Sequence, residues 1–312
     1  MNFIFVVISD YSHDFEFHSL FRGVKSGIKS IRNERRFLMN AIKKALSSKK
    51  MVTVVWVIGL IIIWEIGATV IANTKRSPEN VLPHIYQIIE SIFSKKMVSS
   101  GQTAIQIVLS NAGITLIRAG IGFLIGALIG FILALFMNLF VTIEKTVFPY
   151  LMLIQMIPIL GMAPIVLAVT KDIDKSRIVI AAILTFYPVA TNTLAGFKSV
   201  EREKHELMYS VAASKFQIYT KLLIPSCMPY LFTGLKISAP MAITASILVD
   251  TLQGGGGLGC MLSQSLKHAM SIYVFWQIVF ISALIGILSY YLMTLIEKVM
   301  SPYKRPSKGN RT

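Results

Sequence analysis

Charge is scarce in this chain. Charged residues make up 15% of its 312 positions, against about 25% in an average soluble domain. Acids are the scarcer sign, with 15 Asp and Glu against 31 Lys and Arg. Cysteine is nearly missing: Cys227 and Cys260 stand far apart without a CxxC partner, so neither a disulfide framework nor a metal site is indicated. The five histidines, His13, His18, His84, His205 and His268, do not cluster, and HExxH and GxSxG are absent. No acids pair at metal-ligand spacing. An embedded enzyme would need polar catalytic groups that stand out in apolar spans, so no catalysis, cofactor or metal is expected. There is no GxxxxGK[ST] segment, so uphill movement of a solute would draw on an ion gradient or a separate nucleotide-hydrolysing subunit. MNFIFVVISD is followed by acids rather than a small-residue cleavage site, which does not read as a cleavable signal.

What fills the chain instead is apolar: 54% hydrophobic residues and a mean hydropathy of +0.65. The long apolar runs make it an integral membrane protein. Backbone groups in lipid must be satisfied internally, and no short alternating strands of the barrel type are visible. The expected fold is therefore all-α and polytopic, with six membrane helices. The net charge of +16 belongs to loops beside those spans rather than to nucleic-acid binding.

A basic arm, residues 1–50, leads into a first span near Val52–Ile71. Glu65 lies inside that span and reads as a pathway residue or a helix-packing contact. Residues 73–101 form a connector with an amphipathic helix through Ile85, Ile88, Ile89 and Ile92, its start set by Pro78 and Pro83. The second span, Ala104–Met137, carries Gly120, Gly122, Gly126 and Gly130 at spacings that allow close helix approach. Arg118 precedes them and reads as snorkelling or as bonded to a carbonyl, in preference to a substrate-binding role. The third, Val147–Val169, holds Pro149, Pro158 and Pro164, which predicts a kinked helix whose freed carbonyls line a water-filled path. The fourth span is Ile178–Ala195. The fifth is Tyr230–Val249, with Lys236 near one end and Asp250 closing the other. Gly254–Gly257 then reads as a flexible turn. The sixth span is Ile272–Ile296, followed by a basic tail, residues 301–312. With six spans, 21 of the 31 Lys and Arg fall on the side of the two termini and 8 on the other. The positive-inside rule then puts both termini in the cytoplasm of a cell-membrane protein.

Between the fourth and fifth spans lies a polar stretch that is not a plain linker, EREKHELMYSVAASKFQIYTKLLIP from Glu201 to Pro225. Leu207, Val211, Ala212, Phe216, Tyr219, Leu222 and Leu223 recur at helical spacing. Ser214 with Gln217 fits a capping box. The pattern predicts a helix, a turn at Ala212–Ser214, and a second helix stopped by Pro225. Such a pair in a cytoplasmic loop presents a docking surface; a solvated loop helix is the plainer reading.

This stretch resembles the cytoplasmic loop of ABC importer permeases, E-A-A, three residues, G, nine residues, I-x-L-P. Glu206 stands at the acid, Leu207 and Met208 at the alanines, Ala212 at the glycine, Leu222 and Ile224 at the next two positions and Pro225 at the last. If that turn has positive φ, alanine costs about 1 kcal/mol there. Further matches resemble the nitrate/sulfonate/taurine branch. They are Arg118 with Gly122-Phe123, Ile157-Pro158 with Pro164, Tyr187-Pro188, Asn192-Thr193, Gly196, Gly234-Leu235-Lys236, Asp250 and Gly257-Leu258-Gly259.

The resemblance implies a type I importer permease domain over residues 51–300, with a coupling loop over 197–228. It implies a homodimer of permease subunits docked on a cytoplasmic ABC ATPase dimer, and an extracytoplasmic solute-binding protein that delivers the solute. In the ATPase coupling it gives roles to Glu206, Leu207, Ala212, Ser214, Phe216, Tyr219 and Pro225, with Phe216 and Tyr219 anchoring the second segment. Met156, Pro158, Met162 and Pro164 would line the path. Nitrate, a sulfonate or taurine is the expected solute, with a thiamine precursor or riboflavin left open. The competing class, an ion-coupled secondary transporter, wants repeated halves and buried acids; no repeat is visible, and Glu65 alone is a candidate.

Overall fold

The computed structural model describes residues 49–75, 81–94, 97–99, 101–267 and 272–300. Most of the basic arm, Pro78 and the tail over 301–312 lie outside them. The chain divides into two compact units, residues 1–70 and 71–312.

Helix α1 (Lys49–Thr74) begins in the first unit. Its stretch Met51–Thr74 has a mean hydropathy of 2.4, long and apolar enough to cross a bilayer. Side chains on every side of it, Trp56, Leu60 and Ile63 among them, are exposed, as suits a helix whose solvent is lipid. Glu65 lies half-buried within it.

The second unit starts with α2 (Ile85–Phe93), capped where the His84 amide donates to Gln87 Oε1 at 3.0 Å. Ile88 points inward while Tyr86, Ile89 and Phe93 are exposed. A two-strand hairpin, β1 (Met97–Ser99) and β2 (Gln102–Thr103), turns at Gly101 with φ 75°. Then come α3 (Ala104–Leu139), α4 (Val141–Met156), α5 (Ile159–Thr170) and α6 (Ile173–Lys198). Helix α6 starts earlier than apolarity predicts because Asp172 caps it, accepting from the amides of Asp174 at 2.8 Å and Lys175 at 3.1 Å. Those two N–H groups, Lys175 foremost, hold the Asp172 carboxyl below the usual carboxylate range.

Helices α3 and α6 run parallel, locked by three glycines spaced four apart. A Cβ on Gly122 would meet Ala181 and Ile178, one on Gly126 Ala182 and Thr185, and one on Gly130 Phe186 and Val189. Contacts advance together along both helices, and backbones touch because no side chain separates them. Gly120 faces open space.

Two neighbours running the same way require a return crossing, and α4 with α5 is the chain available for it. The predicted kink is instead a break: α4 and α5 meet at 110°. Ile157 and Pro158 are both extended, with ψ of 125° and 124°. Proline lacks an N–H to continue the ladder and pushes the residue before it out of the helical region, so one proline removes two residues from the helix. Among the described residues, five helices could cross a membrane by length and composition, or six with this broken pair counted as one.

The chain continues through α7 (Arg202–Ser210), α8 (Lys215–Ile218), a π-helical turn (Tyr219–Leu223) and α9 (Ile224–Gln253). The stop predicted at Pro225 does not occur. The Ile224 amide reaches back five residues to the Tyr219 carbonyl. This widened turn makes room for a ring that would otherwise strike the carbonyl four residues earlier, and helix continues from Lys215 to Gln253. Helix α9 runs antiparallel to α6: Gly196 packs on Cys227 and Tyr230, and Gly234 on Pro188 and Asn192. Gly254–Gly257 leads into α10 (Leu258–Lys267), and α11 (Ile272–Met300) closes the unit. Met137, Leu151, Phe197, Ile218 and Leu223 form the core at one end; Val108, Leu258, Val274 and Ile278 form it at the other.

Candidate functional site

At the first of these ends the chain between α6 and α9 folds into the elbow that the periodicity predicts. Helix α7 finishes with Ala212 in the left-handed region, φ 51°. The Ala212 amide donates to Tyr209 O at 2.9 Å and the Ala213 amide to Met208 O at 3.0 Å. That pairing is a Schellman stop, which glycine fills without strain, and it explains why the loop pattern has glycine where this chain has Ala212. Ser214 then opens α8: its amide donates to Gln217 Oε1 at 2.8 Å, and its hydroxyl accepts from the Gln217 amide.

The two halves of the elbow differ in what they touch. The second is pinned. Ile218 and Leu223 are buried, and Tyr219 Oη accepts from Asn138 Nδ2 of α3 at 2.9 Å. Lys198 pairs with Glu144 of α4 beside it. The first half is open. Leu207, Tyr209 and Val211 are 63–66% exposed; across the turn, on α8 itself, Phe216 is 76% exposed. Among the described residues Phe216 is left exposed, whereas Tyr219 is bonded to α3. Glu206 pairs with Arg202 one turn earlier at 2.8 Å on the outer surface of α7.

Sequence periodicity does not reveal the cluster at the opposite end of α9. Asp250 and Arg177 are both 0% exposed, with Arg177 Nε 2.6 Å from Asp250 Oδ1. Arg118 Nη1 approaches the same oxygen at 3.6 Å. Arg118 Nη2 and Arg177 Nη1 both reach Asp174 Oδ1 at 2.8 Å. Thr115 Oγ1 donates to Asp250 Oδ2 at 2.9 Å. The same guanidiniums hold the glycine turn: Arg177 bonds the Gly254 carbonyl, and Arg118 the Gly256 carbonyl at 3.2 Å. The Gly257 amide donates to Asn111 at 2.8 Å and the Leu258 amide to Thr115 at 2.9 Å. Thus Gly254–Gly257, expected to be a flexible turn, is tied down on both sides, and Arg118 bonds the Gly255 and Gly256 carbonyls. Asp250 and Lys236 are not partners. Lys236 pairs with Glu297 of α11 instead.

The profile of a family described as "Binding-protein-dependent transport system inner membrane component" matches residues 122–302. The chain belongs to this family.

Among curated relatives of this permease is a formylaminopyrimidine transport permease protein of Halalkalibacterium halodurans. It is 28% identical over 248 residues, covering 79% of this chain and 93% of that one. A nitrate import permease protein of a Synechocystis species is 24% identical over 243 residues, covering 78% and 86%. Among solved structures, the inward-facing MetNI methionine ABC transporter superposes with a TM-score of 0.56 at 16% identity, covering 62% of this chain and 96% of that one. That likeness concerns the fold.

In this permease, a subunit of a binding-protein-dependent ABC importer, the path residues expected from the prolines gather at the α4–α5 break. Met156 ends α4 with its side chain exposed, Pro158 sits in the break, and Met162 and Pro164 follow on α5. Glu65 is on α1, in the first unit. Two residues escape sequence reasoning. Arg177 reads as one of three loop cations; its signal is the Asp172 cap, which sets Arg177 in the second turn of α6, three residues after Asp174. Glu297 falls one residue beyond the expected end of the last span; its signal is a lone acid on a strongly apolar helix.

Proposed function

We propose that this permease couples to a cytoplasmic ABC ATPase dimer through the elbow, works as a pair of identical subunits, and receives solute from an extracytoplasmic binding protein at the glycine-turn end. The observation that carries the coupling is the division of the elbow. Ile218, Tyr219 and Leu223 fix the second half to the helices, while Leu207, Tyr209 and Val211 of the first half, with Phe216 at the start of the second, leave an apolar surface uncovered. A large aromatic such as Phe216 kept in solvent suits a pocket on another protein. Glu206 and Ser214 shape that surface, the first through Arg202 and the second by capping α8.

Lys198, Arg202, Lys204, Lys215 and Lys221 lie in or beside the elbow, which supports a cytoplasmic elbow and, with an even number of spans, cytoplasmic termini. Residues 51–300 then form the transport domain, flanked by a basic arm and tail. ATP-driven closure of the partner swings the helices and alternates access, with Met156, Pro158, Met162 and Pro164 beside the path. The solute is a small anion of the nitrate, sulfonate or taurine kind, or a thiamine precursor of the formylaminopyrimidine kind or riboflavin. The two relatives' names support nitrate and formylaminopyrimidine.

The test is affinity purification of the full chain from its own cells. An ATPase is expected to co-purify, and to be lost on Phe216→Ala or Glu206→Arg while the permease itself stays folded. Solute uptake by the purified chain alone, under an ion gradient without ATP, would overturn the proposal. Binding of candidate solutes to the cognate binding protein identifies the cargo.

A further inference from the structure

Four consecutive glycines would ordinarily leave the end of α9 free to sample many conformations, since each lacks the Cβ that restricts its backbone. Here Gly254, Gly255, Gly256 and Gly257 all take positive φ, from 70° to 103°, a path that side chains rarely follow. A Cβ on Gly257 would also strike the Asp250 carboxylate, and one on Gly259 the Ile247 carbonyl. The glycines are needed for shape, and rigidity must come from elsewhere.

It comes from Arg177. Its guanidinium serves three groups at once: Nη1 donates to Asp174, Nη2 donates to the Gly254 carbonyl, and Nε lies 2.6 Å from Asp250 Oδ1 as an ion pair without hydrogen-bond alignment. Arg118 adds the Gly255 and Gly256 carbonyls. Helices α3, α6 and α9 are thereby joined to the turn that follows α9. The four ionised groups sum to zero charge, which allows them to lie inside. They are not equally enclosed. Arg177 and Asp250 are 0% exposed and Arg118 13%, but Asp174 is 59% exposed, and both guanidiniums converge on its single Oδ1. Salt and solvent reach the cluster through that carboxylate, whereas the buried pair is shielded from them.

We infer that Arg177, with Arg118 and Asp250, positions the tetraglycine turn against the bundle, and that Asp174 is the release point through which the turn is freed during the transport cycle. While Asp174 is paired, the turn closes its end of the permease. When Asp174 leaves, the remaining three groups carry a net positive charge, Arg118 moves toward solvent, the Gly255 carbonyl loses its Arg118 donor, and the Gly256 carbonyl keeps only the long 3.5 Å contact to Arg177 Nη2.

Hydrogen–deuterium exchange on the full-length permease in lipid nanodiscs tests this at the Gly257 and Leu258 amides. In the native protein exchange is expected to quicken as salt rises from about 0.05 to 0.5 M, because an exposed ion pair is screened. Asp174→Asn, a surface change that leaves folding intact, should quicken exchange about tenfold and abolish the salt response. Arg177→Lys keeps the charge but not the fork, and should quicken exchange similarly. Native-like protection in either variant, or salt-independent exchange in the native chain, would overturn the inference. In liposomes with the other subunits, Asp174→Asn should raise the ATP consumed per solute moved, and an unchanged ratio rejects the release role. Because exchange is read on the permease alone, it stands even where no ATPase co-purifies.

Discussion

The glycine seam between α3 and α6 makes a prediction whose sign depends on position. Gly126→Ala places a Cβ 2.7 Å from the Thr185 Cβ and 3.0 Å from the Ala182 Cα, and closer still to the Ala182 carbonyl. Carbon atoms prefer about 3.5–4.0 Å. Two of these neighbours are backbone and the third is a β-branched carbon, so none can rotate away. The helices must part by roughly 1 Å against backbone that cannot rotate away, which puts the cost in the upper part of the usual overpacking range, about 2–3 kcal/mol. Alanine returns about 1 kcal/mol of helix propensity, leaving a net loss of about 1–2 kcal/mol. Gly120→Ala meets nothing within 4 Å and should gain about 1 kcal/mol from propensity alone. The pair therefore brackets the native protein, one variant on each side. Unfolding of purified permease in detergent, followed by tryptophan fluorescence, reads both. A Gly126→Ala protein as stable as the native one, or a Gly120→Ala protein as weak as Gly126→Ala, would refute the close-packed seam.

Ala212→Gly should stabilise the elbow by about 1 kcal/mol, because glycine takes the left-handed Schellman position without a Cβ clash; a fall in unfolding temperature contradicts this. Lys236→Met breaks the ion pair between Lys236 and Glu297 and should cost about 3 kcal/mol, with most of it returned in Lys236→Met/Glu297→Met. Equal losses in the single and double variants would show that the pair is not the cause. Pro158→Ala restores an N–H at the α4–α5 break and should alter uptake more than assembly; normal uptake by a normally assembled complex rejects a role for the break in the path.

What could be read from the residues follows how far each signal reaches. Apolar runs of span length are local, and every expected span appears as helix or as the broken pair. The elbow is local too: the Ser214–Gln217 box and the turn at Ala212 lie within a few residues of each other. Gly122, Gly126 and Gly130 share a face because they are four apart; Gly120, two residues off, points about 200° away. The outcome of a proline is less local. Pro158 breaks a helix, while Pro225 is absorbed by a π turn, and the difference lies in whether neighbouring turns can widen. Charge pairing is least legible. Arg177 with Asp250, and Lys236 with Glu297, join residues far apart in the chain and on different helices, so only the folded bundle reveals that Lys236 and Asp250 belong to separate pairs.

The helix from Lys215 to Gln253 joins the two regions described here, with the pinned elbow at its foot and the clamped glycines at its head. A rod of that many residues is about 58 Å long and cannot shorten. A thrust applied at its foot must emerge at its head as tilt or rotation, with the π turn as the place where the rod can twist. The two ends of this subunit are thus geared together by one continuous shaft, and neither can shift unnoticed by the other.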